Sequence, residues 1–113
     1  MIEKYAFGQI TINGISYTSD IKITQGRVIP SWWRQSGHQV GIEDIQDILD
    51  TKPEILVLGK GEPGMMSSKG SLREWLSQKN IGLIEEKTAK AVQTFNRLLA
   101  EGKKVAAGFH LSC

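Results

Sequence analysis

Large and polar side chains alternate through the first thirty residues. Phe7-Gly8-Gln9-Ile10-Thr11-Ile12 does so, and Ile15-Ser16-Tyr17-Thr18 repeats the pattern; a period of two puts successive side chains on opposite faces of a strand. Between them Asn13-Gly14 predicts a type I′ hairpin, because that turn needs positive φ at both central residues. Ile21-Lys22-Ile23 and Arg27-Val28-Ile29 flank Gly26 and predict a second strand pair, which Pro30 ends by removing a ladder donor. The N-terminal part therefore reads as an antiparallel meander.

After residue 41 the period lengthens. Ile42, Ile45, Ile48 and Leu49 share one helical face, Glu43, Asp47 and Asp50 the other, and Pro53 closes the segment. Ile55-Leu56-Val57-Leu58 is a continuous apolar run, as in a strand covered on both faces. Ser71-Leu72-Arg73-Glu74 reads as a capping box opening a helix that buries Leu72, Trp75 and Leu76 and ends near Asn80. Ile81-Gly82-Leu83-Ile84 is the next strand. Thr88 reads as the N-cap of a helix burying Ala91, Val92, Phe95, Leu98 and Leu99, with Gly102 as its stop. Lys104–Phe109 is the last strand, its small residues Ala106, Ala107 and Gly108 allowing helices to pack closely. Strand–helix–strand–helix–strand requires parallel pairing through right-handed crossovers. The expected fold is α/β: a mixed central sheet, with an N-terminal antiparallel β-meander and a C-terminal β-α-β-α-β unit.

Composition narrows this only a little. A chain of 113 residues makes one domain, and 40% apolar with 23% charged residues is ordinary for a globular protein. A net charge of +2 gives no reason to expect nucleic acid as a partner. Basic side chains number five in residues 1–59 and nine in residues 60–113, acidic ones seven and five, with no block of like charge. The single Cys113 excludes an intrachain disulfide and fits a reducing compartment. No apolar run approaches the roughly 20 residues that span a bilayer, and the N-terminus carries no secretory or transit pattern. The expectation is a cytoplasmic protein that does not engage a membrane.

Gly59-Lys60-Gly61-Glu62-Pro63-Gly64 fits G-x-G-x-x-G after a strand, with Glu85 placed as a ribose-binding acid would be. Pro63 removes an N–H, however, and the helix begins too late to aim its positive end at a pyrophosphate. The glycines read as a turn, with one weaker role left open: backbone N–H groups at a strand end, beside Lys60, holding an anion. Gly64–Ser71 reads K-G-S where a Walker A loop needs G-K-S, and is not a P-loop.

Ser31-Trp32-Trp33-Arg34-Gln35-Ser36-Gly37-His38 is the most unusual stretch. Two adjacent tryptophans on extended backbone cannot both enter one core, so at least one should face a surface, groove or interface. Trp and Arg are enriched where partners anchor, and Arg34 and His38 can bind carboxylate or phosphate. The plainer alternative has one indole at the core edge and Arg34 stacked on the other. His110-x-x-Cys113, placed on a strand, would point its side chains to opposite faces, so with His38 the set argues against a metal. Cys113 has no local base, Ser67 and Ser68 sit in no nucleophile elbow, and Glu85 and Glu86 diverge. No catalytic set and no cofactor are expected.

Phe7-Gly8…Asn13-Gly14…Tyr17…Asp20, Trp32-Trp33-Arg34…Gly37-His38, Leu58-Gly59-Lys60-Gly61, Thr88…Ala91-Val92…Phe95-Asn96…Leu98 and Val105–Cys113 follow one another along the chain. They resemble one family of small uncharacterised proteins that includes the adipogenesis-associated domain protein of animals and mitochondrial complex I assembly factor three. The likeness spans essentially the whole chain, and the length resembles that of the compact archaeal member. It implies a three-layer fold, frequent dimers and no settled enzymatic activity. Glu62-Pro63 departs from the family's tendency to hydrophobic or small residues there.

Together these readings predict a non-enzymatic binding or assembly-accessory protein acting through Trp32, Trp33, Arg34 and His38 with Gly59, Lys60, Gly61 and His110. Its expected partner is a protein, including a second copy, or a small anion. The alternative is an anion- or nucleotide-binding pocket, or a small enzyme, in which Arg34 and the Gly59–Gly64 backbone hold charge and His38 or His110 moves a proton.

Overall fold

The computed structural model describes residues 1–113. The first thirty residues form five strands: β1 (Ile2–Ala6), β2 (Gln9–Ile12), β3 (Ile15–Tyr17), β4 (Ile21–Thr24) and β5 (Arg27–Ile29). Asn13 and Gly14 turn between β2 and β3 with φ of 51° and 82°, as a type I′ hairpin requires. Phe7-Gly8 is a turn and not the start of a strand. Gly8 takes φ 82°, and the pairing strand β1 precedes it. Ile2-Glu3-Lys4-Tyr5-Ala6 alternates too weakly to signal a strand on its own.

Next come β6 (Gln39–Val40), a 3₁₀ turn at Ile42–Asp44 and the single-turn helix α1 (Gln46–Leu49). The expected amphipathic helix over this stretch is thus broken in two, yet Ile45, Ile48 and Leu49 are buried as the period predicts. The remainder is β7 (Ile55–Gly59), β8 (Ser67–Ser68), α2 (Gly70–Gln78), β9 (Gly82–Glu86), α3 (Thr88–Ala100) and β10 (Val105–Phe109). Helix α2 begins one residue before the expected capping box, after Lys69, and has no side-chain cap. Asn80 leaves it in the left-handed region at φ 57°.

The central sheet has the order β5-β4-β10-β7-β9. β7, β9 and β10 are parallel, while β4 and β5 join antiparallel on the β10 edge. β1-β2-β3 is a separate antiparallel sheet, and β6 pairs with β8 in parallel. Alternate residues of the central sheet feed two cores. Ile21, Ile23, Val57, Ala107 and Phe109 meet α3, β1 and β2 on one face. Leu56, Leu58 and Ala106 meet α1, α2, Met66 and Trp32 on the other. The expected mixed sheet in a three-layer fold is what the chain builds. No helix is long and apolar enough to cross a membrane.

Candidate functional site

The carboxyl ends of β7 and β10 open side by side, because Phe109 pairs with Gly59 in the parallel ladder. Chain leaving one strand therefore meets chain leaving the other. The Gly59–Gly64 bend and residues 110–113 are laced together: Gly61 N–H donates to Thr88 Oγ1 (2.8 Å), Thr88 Oγ1 in turn donates to the His110 carbonyl, and Glu62 N–H donates to Ser112 O (2.8 Å). Thr88 thus opens α3 as expected from the sequence, but its hydroxyl ties the strand ends together and does not cap the helix. At Gly61, φ is +90°, and a Cβ there would collide with the Ser112 carbonyl and lie 2.7 Å from His110 Cδ2. Only glycine allows this approach.

The tryptophan loop reaches the same place from the opposite side. Trp32 is buried: its amide donates to Asp20 O (2.9 Å), its indole Nε1 to Asp44 O (2.9 Å), and its ring lies on β10 at Gly108. The Arg34 guanidinium stacks 4.5 Å above that ring and donates from Nη2 to Asp20 Oδ2 at 2.9 Å and from Nε to Gly37 O. One indole faces solvent as expected, and the other is at the core, but Arg34 stacks on the core indole and not on the exposed one. Trp32 is at the core with Arg34 on it, while Trp33 is 75% exposed.

Asp20 is the hub. Oδ1 accepts the Leu111 N–H at 2.8 Å, and Oδ2 lies 2.8 Å from His110 Nδ1. Burial alone would raise the Asp20 carboxyl, but the Leu111 N–H, His110 and Arg34 together outweigh it and hold it below the ordinary carboxylate value. An ionised carboxylate only accepts, so His110 Nδ1 carries the hydrogen. The 3.4 Å approach of Arg34 Nη2 to that nitrogen is then a meeting of two donors. In the neutral ring the lone pair is left on His110 Nε2, which is buried without a partner, as is Arg34 Nη1.

The two loops assumed from sequence to converge do so, with Arg34, His38, Gly61 and His110 brought together. His38 accepts the Ser67 N–H at its carbonyl (2.9 Å) and packs its ring edge-on to His110, with centroids 5.3 Å apart. The glycine bend, however, has little left for an anion. Lys60 N–H donates to Glu86 O, and those of Gly61 and Glu62 are engaged as above. Glu85, placed by the motif as a ribose ligand, accepts from Ser68 N and Oγ (2.8 and 2.9 Å). The expected divergence of His110 and Cys113 fails as well, because β10 ends at Phe109 and the next residues are irregular.

The profile of a family described as protein of unknown function (DUF498/DUF598) matches residues 2–110. The chain belongs to that family. Its fold is similar to that of the conserved hypothetical protein PH1505 from Pyrococcus horikoshii, an archaeal member, at 25% identity and a TM-score of 0.89, covering 100% of this chain and 99% of that one. The protein MT938 is similar at 25% identity and a TM-score of 0.81, with 100% and 98% covered. A protein from Bartonella henselae described as an outer membrane protein is similar at 27% identity and a TM-score of 0.82, with 99% and 94% covered.

In this DUF498/DUF598 chain, sequence reasoning missed the two carboxylates that assemble the site. Asp44 stands in sequence among the acidic residues Glu43, Asp47 and Asp50, yet it is buried and accepts from Gly41 N (2.8 Å) and Gln35 N (3.2 Å). Asp20 stands out in the sequence only through its place in the family pattern. Its depressed carboxyl has a measurable consequence. The folded value lies below the unfolded one, so the network contributes fully above about pH 4 and is lost as pH falls through the lower folded value. Acid titration followed by circular dichroism should show a steeper loss of stability in that window for the wild type than for Asp20→Asn. Equal slopes would contradict the assignment.

Proposed function

We propose that this chain is a non-enzymatic binding protein whose partner is another protein, anchored by Trp33. One observation supports this most: a large indole, 75% exposed, stands on a loop that is already immobilised on both sides. Ser31 N–H donates to Ser19 Oγ (2.9 Å), Trp32 is tied to Asp20 and Asp44, and Arg34 to Asp20 and Gly37. Presenting an aromatic on rigid backbone removes part of the ordering cost of association, and tryptophan is the residue type most enriched among energetic anchors. Two more exposed apolar side chains border the 110–113 segment. Met65 (57% exposed) donates its N–H to Cys113 O at 3.0 Å, and Phe7 (65% exposed) precedes Gly8, whose N–H donates to Leu111 O at 2.8 Å. The site's own polar groups are mostly engaged with one another, which suits a scaffold more than a reaction centre.

A photo-crosslinking amino acid placed at position 33 should give one discrete adduct in cells, suppressed by excess unlabelled wild-type protein. The same probe at exposed Lys103 should give none. Trp33→Ala should abolish competition yet change folding stability by no more than about 0.5 kcal/mol. An adduct of twice the chain mass makes the partner a second copy. Identical adducts from both positions, or none, would overturn the reading.

A further inference from the structure

His38 and Cys113 lie beside the buried His110 ring, whose Nε2 has no partner. One ligating atom from each of His38, His110 and Cys113 lies within 4.8 Å of the others. Of the two His110 nitrogens only Nε2 is free, since Nδ1 is held by Asp20 at 2.8 Å. A buried imidazole nitrogen with no hydrogen-bond partner is costly to leave unmade, and a second imidazole and a thiol lie within reach of the same ring. A carboxylate on the far nitrogen of a histidine is the arrangement that fixes tautomer and ring orientation at metal centres.

We propose that His38, His110 and Cys113 bind one zinc-class divalent transition metal, with Asp20 as the positioning carboxylate. Two imidazoles and a thiolate are the donor set such an ion prefers over hard cations, which favour oxygen. Tetrahedral coordination needs ligand atoms about 3.4–3.6 Å apart. His38 and Cys113 are exposed and supply that contraction by side-chain rotation, while buried His110 stays fixed. Binding releases the Cys113 thiol proton to solvent, and the new bonds are metal–sulfur and two metal–nitrogen. Three protein ligands leave a coordination position open.

Cobalt(II), titrated into chelator-stripped, reduced protein, is the direct probe. The expected result is one cobalt per chain, with a thiolate charge-transfer band in the near ultraviolet and visible bands of tetrahedral intensity, both displaced by zinc. His38→Ala and Cys113→Ser alter exposed side chains and should leave the metal-free melting temperature unchanged. Each should weaken cobalt binding by on the order of 100-fold or more, and Cys113→Ser should remove the charge-transfer band. Absence of that band in the wild type, one cobalt per two chains, or affinity unchanged by His38→Ala would overturn the site. Crosslinking through Trp33 in metal-free protein is a separate readout, so either proposal can fail alone.

Discussion

Asp20→Ala should lower the melting temperature by about 15 °C, the largest loss expected from any single polar substitution in the molecule. Arg34 and His110 side chains are 7% and 8% exposed, and both turn to the same Asp20 carboxylate. Removing it strands a buried guanidinium whose Nη1 already lacks a partner, and leaves Leu111 N–H without its acceptor. Breaking a buried ion pair from one side costs about 3–5 kcal/mol, and each kcal/mol is worth roughly 4 °C in a domain of this size. Asp20→Asn keeps the volume and an acceptor for Leu111 but sets an amide against two donors, so an intermediate loss is expected. Glu101→Ala is the contrast. Its partner Arg97 is 59% exposed in an i,i+4 pair at 3.3 Å, and such pairs are worth only tenths of a kcal/mol. Scanning calorimetry on the three variants separates a structural hub from a decorative surface pair. Equal small shifts for Asp20→Ala and Glu101→Ala would remove Asp20 from the centre of the fold's polar network.

What could be seen beforehand divides along a physical line. Periodicity is a local property, and it located the β2–β3 hairpin at Asn13-Gly14, the strand at Ile55–Leu58 and the helix carrying Ala91, Val92, Phe95 and Leu98. Segments governed by tertiary contacts were less legible. The Ile42–Leu49 stretch breaks into a 3₁₀ turn and one helical turn where the Asp44 carboxylate binds Gly41 and Gln35 amides, an arrangement its apolar spacing does not encode. The site shows the same division. Trp-Trp-Arg was conspicuous because adjacent indoles conflict with a single core, and one of them does face solvent. Asp20 was not conspicuous, because its partners lie 14, 90 and 91 residues away in sequence. The His110–Cys113 reading extended strand alternation past Phe109, although the pattern itself ends the strand there and Phe109 is the last ladder residue. Beyond it the chain is irregular, so the alternation rule does not apply and the two side chains meet.

Gly108 offers the sharpest test of how the tryptophan loop is seated. A Cβ at this position in β10 would stand 2.7 Å from Trp32 Cη2 and 2.8 Å from Cζ3. The indole cannot retreat: its Nε1 is bonded to Asp44 O and Arg34 stacks on the ring. Gly108→Ala should therefore cost about 2 kcal/mol and Gly108→Val about 3 kcal/mol or more, the range for overpacking a close-packed core. Gly82→Ala in β9 is the matched control. Its nearest contact would be an ordinary 3.6 Å from Ile55, so a change within about 0.5 kcal/mol is expected, with the loss of chain entropy in the unfolded state favouring alanine. The pairwise cause is isolated by repeating Gly108→Ala in a Trp32→Phe background. Phenylalanine lacks the outer ring atoms that clash, so there the added methyl should cost less than about 1 kcal/mol, a coupling of the size expected for residues in contact. Denaturant unfolding followed by circular dichroism measures all five variants, independently of the fluorescence that Trp32→Phe alters. If Gly108→Ala costs the same in both backgrounds, the penalty belongs to the strand itself. The indole would then not be what requires glycine at the point where β10 passes beneath the tryptophan loop.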